Sequence, residues 1–459
     1  MSKRLIVIGG VAAGTSAASR ARRVDADLEI ILFEAGEHIS YGACDEPYFI
    51  SGVIPSWENL LVRLPRVFRE KQNIDIRLGH EVTKIDPEAK SVTVLIKETG
   101  ETEEFNYDTL ILATGARPRP LPLPGHDAPN VFHLKSLDSA RAIDTFIRER
   151  KPRQAVSIGA GFINLEMAEA LHARGVENTI LTRSPLPAGR QFEQEIGALI
   201  VDELRERGVH YEPSHPTTGL KTDANGWVTA VQAGDDSFDA DMVLVAIGVQ
   251  PNVEIGVAAG VAVGPTGAFA VDDHLRTNVP DIFAAGDCAE TINRINGQPA
   301  HYPLGDIANK HGWTAGENAA GGDLTYGGAL GSFHFKCFEL EIGVTGLTEA
   351  QAREAGFDPL VNLITHNSRA HAQPGKQKIT VRLVLDRQTG RILGGQVAGK
   401  EGAALRINTL AVAVHAGMTV EELNAVDFAY APPFSPVIDP LLIAARTSVK
   451  KLAKQVSSG

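Results

Sequence analysis

Cysteine is scarce in this chain: Cys44, Cys288 and Cys337 are the only three in 459 residues. They are too few and too far apart for the disulfide framework of a secreted protein. No C-x-x-C pair or similar cluster offers a zinc site, so no metal is expected. Long apolar runs are also missing, and no stretch approaches the roughly 20 residues that span a bilayer. The opening MSKRLIVIGG puts Lys3 and Arg4 before an apolar run, but that run enters a glycine turn where a signal peptide has a small-residue cleavage site. Positive charge is short too. Lys and Arg number 44 against 56 Asp and Glu, a formal net charge of −12, which disfavours nucleic-acid binding and still permits a local basic pocket. These shortages describe a cytoplasmic protein with no membrane span and no nucleic-acid partner.

What is present is a repeated unit. Residues 4–8 (RLIVI) read as a buried strand, followed by GGVAAG, the helix-like TSAASRARRV and a second strand, LEIILFE, residues 28–34. This is the strand–turn–helix–strand order of a dinucleotide-binding fold. A second such unit starts at AVSIGAGFINLEMAEALHARG, residues 155–175, and continues into NTILTR, residues 178–183. After residue 330, alternating strands such as KITVRLVLDRQTGRILGGQVAG and helices at 349–356 and 401–417 suggest a separate α+β domain. The tail KKLAKQVSSG is expected to be frayed. The fold class is therefore α/β, with two Rossmann-like dinucleotide-binding domains and a C-terminal α+β domain.

In the first turn, Gly9, Gly10 and Gly14 surround Val11, Ala12 and Ala13, and a pyrophosphate fits where the following helix begins. Glu34, 20 residues past Gly14, ends the second strand where a carboxylate accepts ribose hydroxyls. In the second turn Gly159 and Gly161 stand, but the third glycine is replaced by Asn164. The strand after it ends in Thr182-Arg183 with no acidic residue, so Arg183 can pair with a 2′-phosphate and favours NADPH, with NADH still open. Arg183 also reads as a solvated strand-end charge.

The stretch ISYGACDEPYFISG, residues 39–52, places Cys44 in a glycine-containing turn beside Asp45 and Glu46. A buried structural thiol and a redox thiol both suit it. A helix beginning near Pro47 would lower the thiol pKa, and inward-pointing Asp45 and Glu46 would raise it.

GGVAAG, Glu34, LATGARP, GAGFINLE and TNVPDIFAAGDCAE together resemble the flavin-dependent pyridine nucleotide–disulfide oxidoreductases, over essentially the whole chain. A lone cysteine ten residues after Glu34, with YPLGDIANKHGWTAGENAAGG and DFAYAPPFSPVIDP, is similar to the coenzyme A-disulfide reductase and NADH oxidase branch. The resemblance implies FAD on residues 1–115 and 252–327, NAD(P)H on 116–251, and a dimerisation domain at 328–459 that makes a homodimer and completes the partner's active site. FAD contacts are implied for Gly9, Gly10, Ala12, Ala13, Gly14, Glu34, Ala35, Val82, Ala113, Thr114, Gly115, Asp287 and Pro303. Those implied for NAD(P)H are Gly159, Gly161, Phe162, Ile163, Glu166, Arg183 and Gly248. Ser16, Arg20, Arg23, Ser40, Lys71 and Asn309 match positions that bind coenzyme A, as substrate or mixed disulfide. The arginines also read as a solvated basic face on SRARR.

By the same resemblance Cys44 faces the isoalloxazine ring. Relatives with two cysteines carry C-x-x-x-x-C here, whereas this chain has Phe49 at the second position. The oxidised form must then be a mixed disulfide, persulfide or sulfenic acid. Three departures stand out. Cys44-Asp45-Glu46-Pro47-Tyr48-Phe49 replaces C-G-L-P-Y-Y, Ala43 replaces an asparagine, and Ala372 replaces a tyrosine of H-Y-Y-P-G. Tyr430 is retained, as a catalytic residue acting in the partner subunit or as a packed interface aromatic. The leading expectation is reduction of a disulfide, persulfide or polysulfide, coenzyme A-linked by preference. An NAD(P)H oxidase and a slow redox-sensing flavoprotein are the alternatives. A peroxidase fits poorly, because those relatives carry His where this chain has Ala12.

Overall fold

The computed structural model describes residues 3–189 and 191–456. Arg4–Ile8 lies in the middle of a five-stranded parallel sheet ordered Ile282–Ala284, Thr109–Leu112, Arg4–Ile8, Glu29–Glu34 and Asp75–Leu78. Both faces of this sheet are covered, which is why its strands are continuous apolar runs with no alternation. Leu5, Ile6 and Val7 are fully buried. A three-stranded antiparallel sheet, His80–Asp86, Ser91–Ile96 and Thr102–Asn106, covers part of one face.

On the other face the first helix, Ala12–Val24, packs against the long helix Gly305–Ala319. The approach is close because Gly312 and Gly316 sit on the backbone of Ala13 and Ala17. A Cβ at either glycine would fall well inside contact distance of the Ala13 or Ala17 carbonyl.

The second unit repeats the plan. Its parallel sheet runs His210–Glu212, Glu177–Leu181, Gln154–Ile158, Met242–Val245 and Val131–Phe132. An antiparallel ribbon of Ala116–Pro118 and Val249–Pro251 joins the two units. The C-terminal part is a five-stranded antiparallel sheet ordered Phe333–Cys337, Leu340–Gly346, Ile392–Gly399, Lys378–Asp386 and Pro359–Asn367. Helices Ala403–His415 and Pro440–Val456 cover it.

The tail corrects one expectation. Residues 450–456 extend the last helix instead of fraying, because Leu452 packs on the C-terminal core and Lys451 Nζ reaches the Val361 carbonyl. Residues 457–459 lie outside the described ones.

One buried cation ties the second unit to the C-terminal sheet. Arg382, 4% exposed, faces Glu193 at 3.0 Å, Glu195 at 3.5 Å and Glu349 at 2.9 Å. Beside it, Gln396 accepts from the Glu193 N–H and donates to the Gln191 carbonyl.

Candidate active site

The first glycine turn has the shape the sequence calls for. Gly9 takes φ +104°, a left-handed conformation that an L side chain would strain, and it packs on the Ala113 carbonyl. Gly14 sits against Gly9, and the N-terminus of Ala12–Val24 opens directly after the turn. Glu34 is aimed back at it, accepting from Gly10 N at 2.7 Å and from Gly36 N at 2.8 Å. Thr114 and Asp287 stand at the ends of the neighbouring strands. Thr114 Oγ1 donates to Asn252 O at 2.6 Å, and Asp287 pairs with Lys135 at 2.9 Å. Ala35, Gly115 and Pro303 are half-buried beside these, and Val82 is buried in the adjoining sheet. An open backbone turn, a helix N-terminus and a carboxylate one strand away suit the pyrophosphate and ribose of a dinucleotide such as FAD.

The second turn differs in detail. Gly159 adopts φ +96°, and Gly161 caps the helix Phe162–Ala173. Asn164, 1% exposed, donates to the carbonyls of Ile158 at 3.1 Å and Gly159 at 2.8 Å, so its amide staples the turn that a third glycine would only have allowed to close. Phe162 and Ile163 are half-buried at the mouth, and Gly248, at φ +109°, faces Arg119. Arg183 is exposed two residues past the end of strand Glu177–Leu181, and no ion pair holds it among the described residues.

Between the two units lies Cys44. It is the middle residue of the 3-10 turn Ala43–Asp45, which runs into the helix Glu46–Ser51, and its side chain is solvent-accessible. Sγ is 3.9 Å from where a Cβ on Gly305 would be. Phe49 is buried in an apolar cluster with Ile50, Leu137 and Leu171. Cys288 and Cys337 are fully buried elsewhere, Cys288 donating to the carbonyls of Leu112 and Ala285.

The thiol is held above the usual cysteine range. The protein packed around the thiol, which leaves one side open, contributes most by partial desolvation, then Glu166, Asp45 and Glu46, against the opposing Lys135. Glu166, read from sequence as a nucleotide contact, thus faces the thiol from the second unit. Its own carboxyl is pushed up to about 8 by burial and by Glu169.

The residues expected from sequence to meet coenzyme A form a strip leading away from Cys44. Ser16 donates to Asn309 Oδ1 at 2.6 Å, and Asn309 Nδ2 donates to the carbonyl of Gly305, next to the thiol. Ser40, at φ +50°, is half-buried at the head of the cysteine loop. One turn further along the first helix, Arg20 stacks 4.3 Å from the centre of the Trp313 ring and pairs with Glu317. Arg23 lies 5.5 Å from the same ring. Beyond it Arg22, Arg23, Arg63 and Lys71 line a cavity of about 450 Å³. Trp313 and Arg63 were not singled out from sequence, because each reaches the strip only through packing between elements. Tyr430 is exposed on the C-terminal part, as are Phe434 and Val437 near it. One carboxylate–imidazole group, Asp272, Asp273 and His274, is clustered among the described residues, but both ring nitrogens are already engaged by Asp273 and Asp323.

Two dinucleotide cradles flanking one accessible thiol define a two-nucleotide redox protein. The chain belongs to the pyridine nucleotide-disulphide oxidoreductase family: that family's model matches residues 3–304, and its dimerisation domain matches residues 333–441. It is 37% identical to the NAD(P)H sulfur oxidoreductase (CoA-dependent) of Pyrococcus furiosus, over 97% of this chain and 98% of that one. It is 34% identical to an NADH oxidase of Methanocaldococcus jannaschii, over 98% and 100%. A solved NAD-dependent persulfide reductase from A. fulgidus superposes with a TM-score of 0.95 at 37% identity, covering 98% of this chain and 84% of that one.

Proposed function

We propose that this protein is an FAD-dependent NAD(P)H oxidoreductase that reduces disulfide, persulfide or polysulfide bonds through Cys44, with coenzyme A-linked substrates favoured. The observation that carries this is the position of Cys44, an accessible thiol without a cysteine partner, at the inner end of a strip of cations. A long ligand with sulfur at one end and phosphates at the other matches that strip. FAD rests on residues 1–115 and 252–327, and the nicotinamide nucleotide on 116–251.

The bound flavin supplies the relay that passes an electron pair from the nicotinamide to sulfur. Cys44, as thiolate, attacks the substrate S–S bond, forms a new Cys44–S bond and releases one thiol. Two electrons then cleave that bond, release the second sulfur and restore the thiolate. Lys135, paired to Asp287, opposes the carboxylates and so favours the thiolate. Residues 328–459 are the dimerisation domain. Phe434 and Val437, 78% and 72% exposed, are apolar surface that a second copy of this chain covers, bringing Tyr430 to the partner's site. A nicotinamide donor and reduced cysteines suit the cytoplasm. Among the described residues no helix is long and apolar enough to cross a membrane.

Intact-protein mass spectrometry before and after dithiothreitol tests the reading. A reversible coenzyme A or sulfur adduct on the Cys44 peptide is the expected result. A Cys44 that stays unmodified even with excess coenzyme A disulfide or polysulfide favours the oxidase reading instead.

The unpaired Arg183 is placed to hold the 2′-phosphate of NADPH. Arg183→Ala should lower kcat/KM for NADPH about tenfold or more and leave NADH within about twofold, since a charge-assisted pair contributes about 1.5–3 kcal/mol. Equal values for the two donors in the wild type, unaltered by the substitution, would remove this preference.

A further inference from the structure

We propose that Glu46 is the proton reservoir of the active site, exchanging one proton with the sulfur chemistry at Cys44. This deepens the reading of Cys44 as the redox thiol and rests on it. Glu46 lies two residues beyond Cys44 at the start of the helix Glu46–Ser51, where the family pattern carries an apolar leucine. Its side chain is 2% exposed, and Oε1 has no hydrogen-bond partner. A buried carboxylate without a partner is costly, so such a group is held neutral unless a function needs it charged. Burial pushes the Glu46 carboxyl up to about 8, against the opposing Lys135. Ordinary surface carboxylates are ionised near neutrality and have no proton to give.

The charged groups around this pair come from every packed element. Asp45 flanks Cys44, and Tyr41 faces Glu46 from the preceding loop. Lys135 comes from the strand-to-helix connection before Leu137–Arg150 and is held by Asp287. Glu166 approaches from Phe162–Ala173 and is itself faced by Glu169, which pairs with Lys336. Of these carboxyls only Glu46 is both almost fully buried and left with an unpartnered oxygen. The proton balance then follows. When the Cys44 thiolate breaks the substrate S–S bond, the departing thiolate takes the Glu46 proton and leaves as thiol. Solvent returns a proton to the carboxylate before the next cycle. The tyrosine replaced by Ala372 removes one other acid from the family pattern.

The test is the pH dependence of iodoacetamide alkylation of Cys44 in the reduced holoenzyme, read by peptide mass spectrometry from about pH 6 to pH 10. In the wild type, ionised Glu46 opposes thiolate formation, so the profile climbs broadly, as coupled groups do. Glu46→Gln should match it near pH 7, where Glu46 is still protonated, and should alkylate about threefold faster near pH 9. Without that opposing charge more of the thiol ionises, and the gain is partly offset by the lower nucleophilicity of a less basic thiolate. At pH 7 the same variant should lose at least about tenfold in kcat for sulfur reduction, with Glu46→Asp recovering part. An infrared band of a protonated carboxyl at pH 7, absent from Glu46→Gln, is the matching signature. Superimposable alkylation profiles, an intact kcat or a missing band each overturn the proposal. If Cys44 is not the redox thiol, Cys44→Ser keeps its sulfur reduction while Glu46→Gln, with Cys44 in place, still shifts the Cys44 alkylation profile, so the two failures are distinguishable.

Discussion

Replacing Cys44 with serine should abolish NAD(P)H-driven release of thiol or sulfide, by at least about a thousandfold, as expected when a covalent nucleophile is lost. Slow oxygen uptake should persist. The effect is large because nothing in the fold can substitute. Cys288 and Cys337 are fully buried, and Phe49 fills the position where a second active-site cysteine would stand. Serine keeps the size of the side chain, but its hydroxyl does not ionise near neutral pH and cannot form a mixed disulfide. The measurement is product thiol per NAD(P)H consumed. Unchanged thiol release would sink the mechanism, and unchanged NAD(P)H consumption with hydrogen peroxide or water as product would make oxygen the acceptor.

Gly312→Ala should destabilise the protein by about 1–2 kcal/mol and weaken flavin retention, although alanine is the better helix former. The intrinsic preference favours alanine by up to about 1 kcal/mol in a helix interior. Against this stands overpacking, which costs about 1–3 kcal/mol when backbone must shift. The new Cβ would press on the carbonyl of Ala13, within the turn that carries Gly14. Packing therefore outweighs propensity, and the displaced turn is the one proposed to hold the pyrophosphate of FAD. Denaturation followed by both flavin fluorescence and circular dichroism checks this. A midpoint equal to or above the wild type would show that the two helices can separate without cost.

The parts of the site legible in sequence were those fixed by local chemistry. A glycine with φ near +100°, a carboxylate at the end of the next strand and a lone cysteine in a turn each leave a local mark in the sequence. The parts that were not legible depend on distant segments. Asn164 looks like a lost glycine until its amide is seen bonding the Ile158 and Gly159 carbonyls. Trp313 lies nearly 300 residues from the arginines it stacks on. Sequence posed the contest at Cys44 between a helix N-terminus and two acids. Burial and Glu166, a residue of the other unit, settled it upward. The tail looks frayed in sequence because it is short and basic, yet Leu452 extends onto its stretch the apolar face that Leu441, Ala444, Ala445 and Val449 already pack on the core.

Arg382 limits how freely the parts of this chain can be exchanged. A buried guanidinium that loses its partners costs about 3–5 kcal/mol, a large fraction of a domain's whole stability. Glu193 and Glu195 therefore form one charge cluster with Arg382 and Glu349, although more than 150 residues separate the two sides. A chimera that grafts onto this C-terminal sheet a relative's nucleotide-binding unit lacking acids at these two positions would leave Arg382 with Glu349 as its one partner from the cluster.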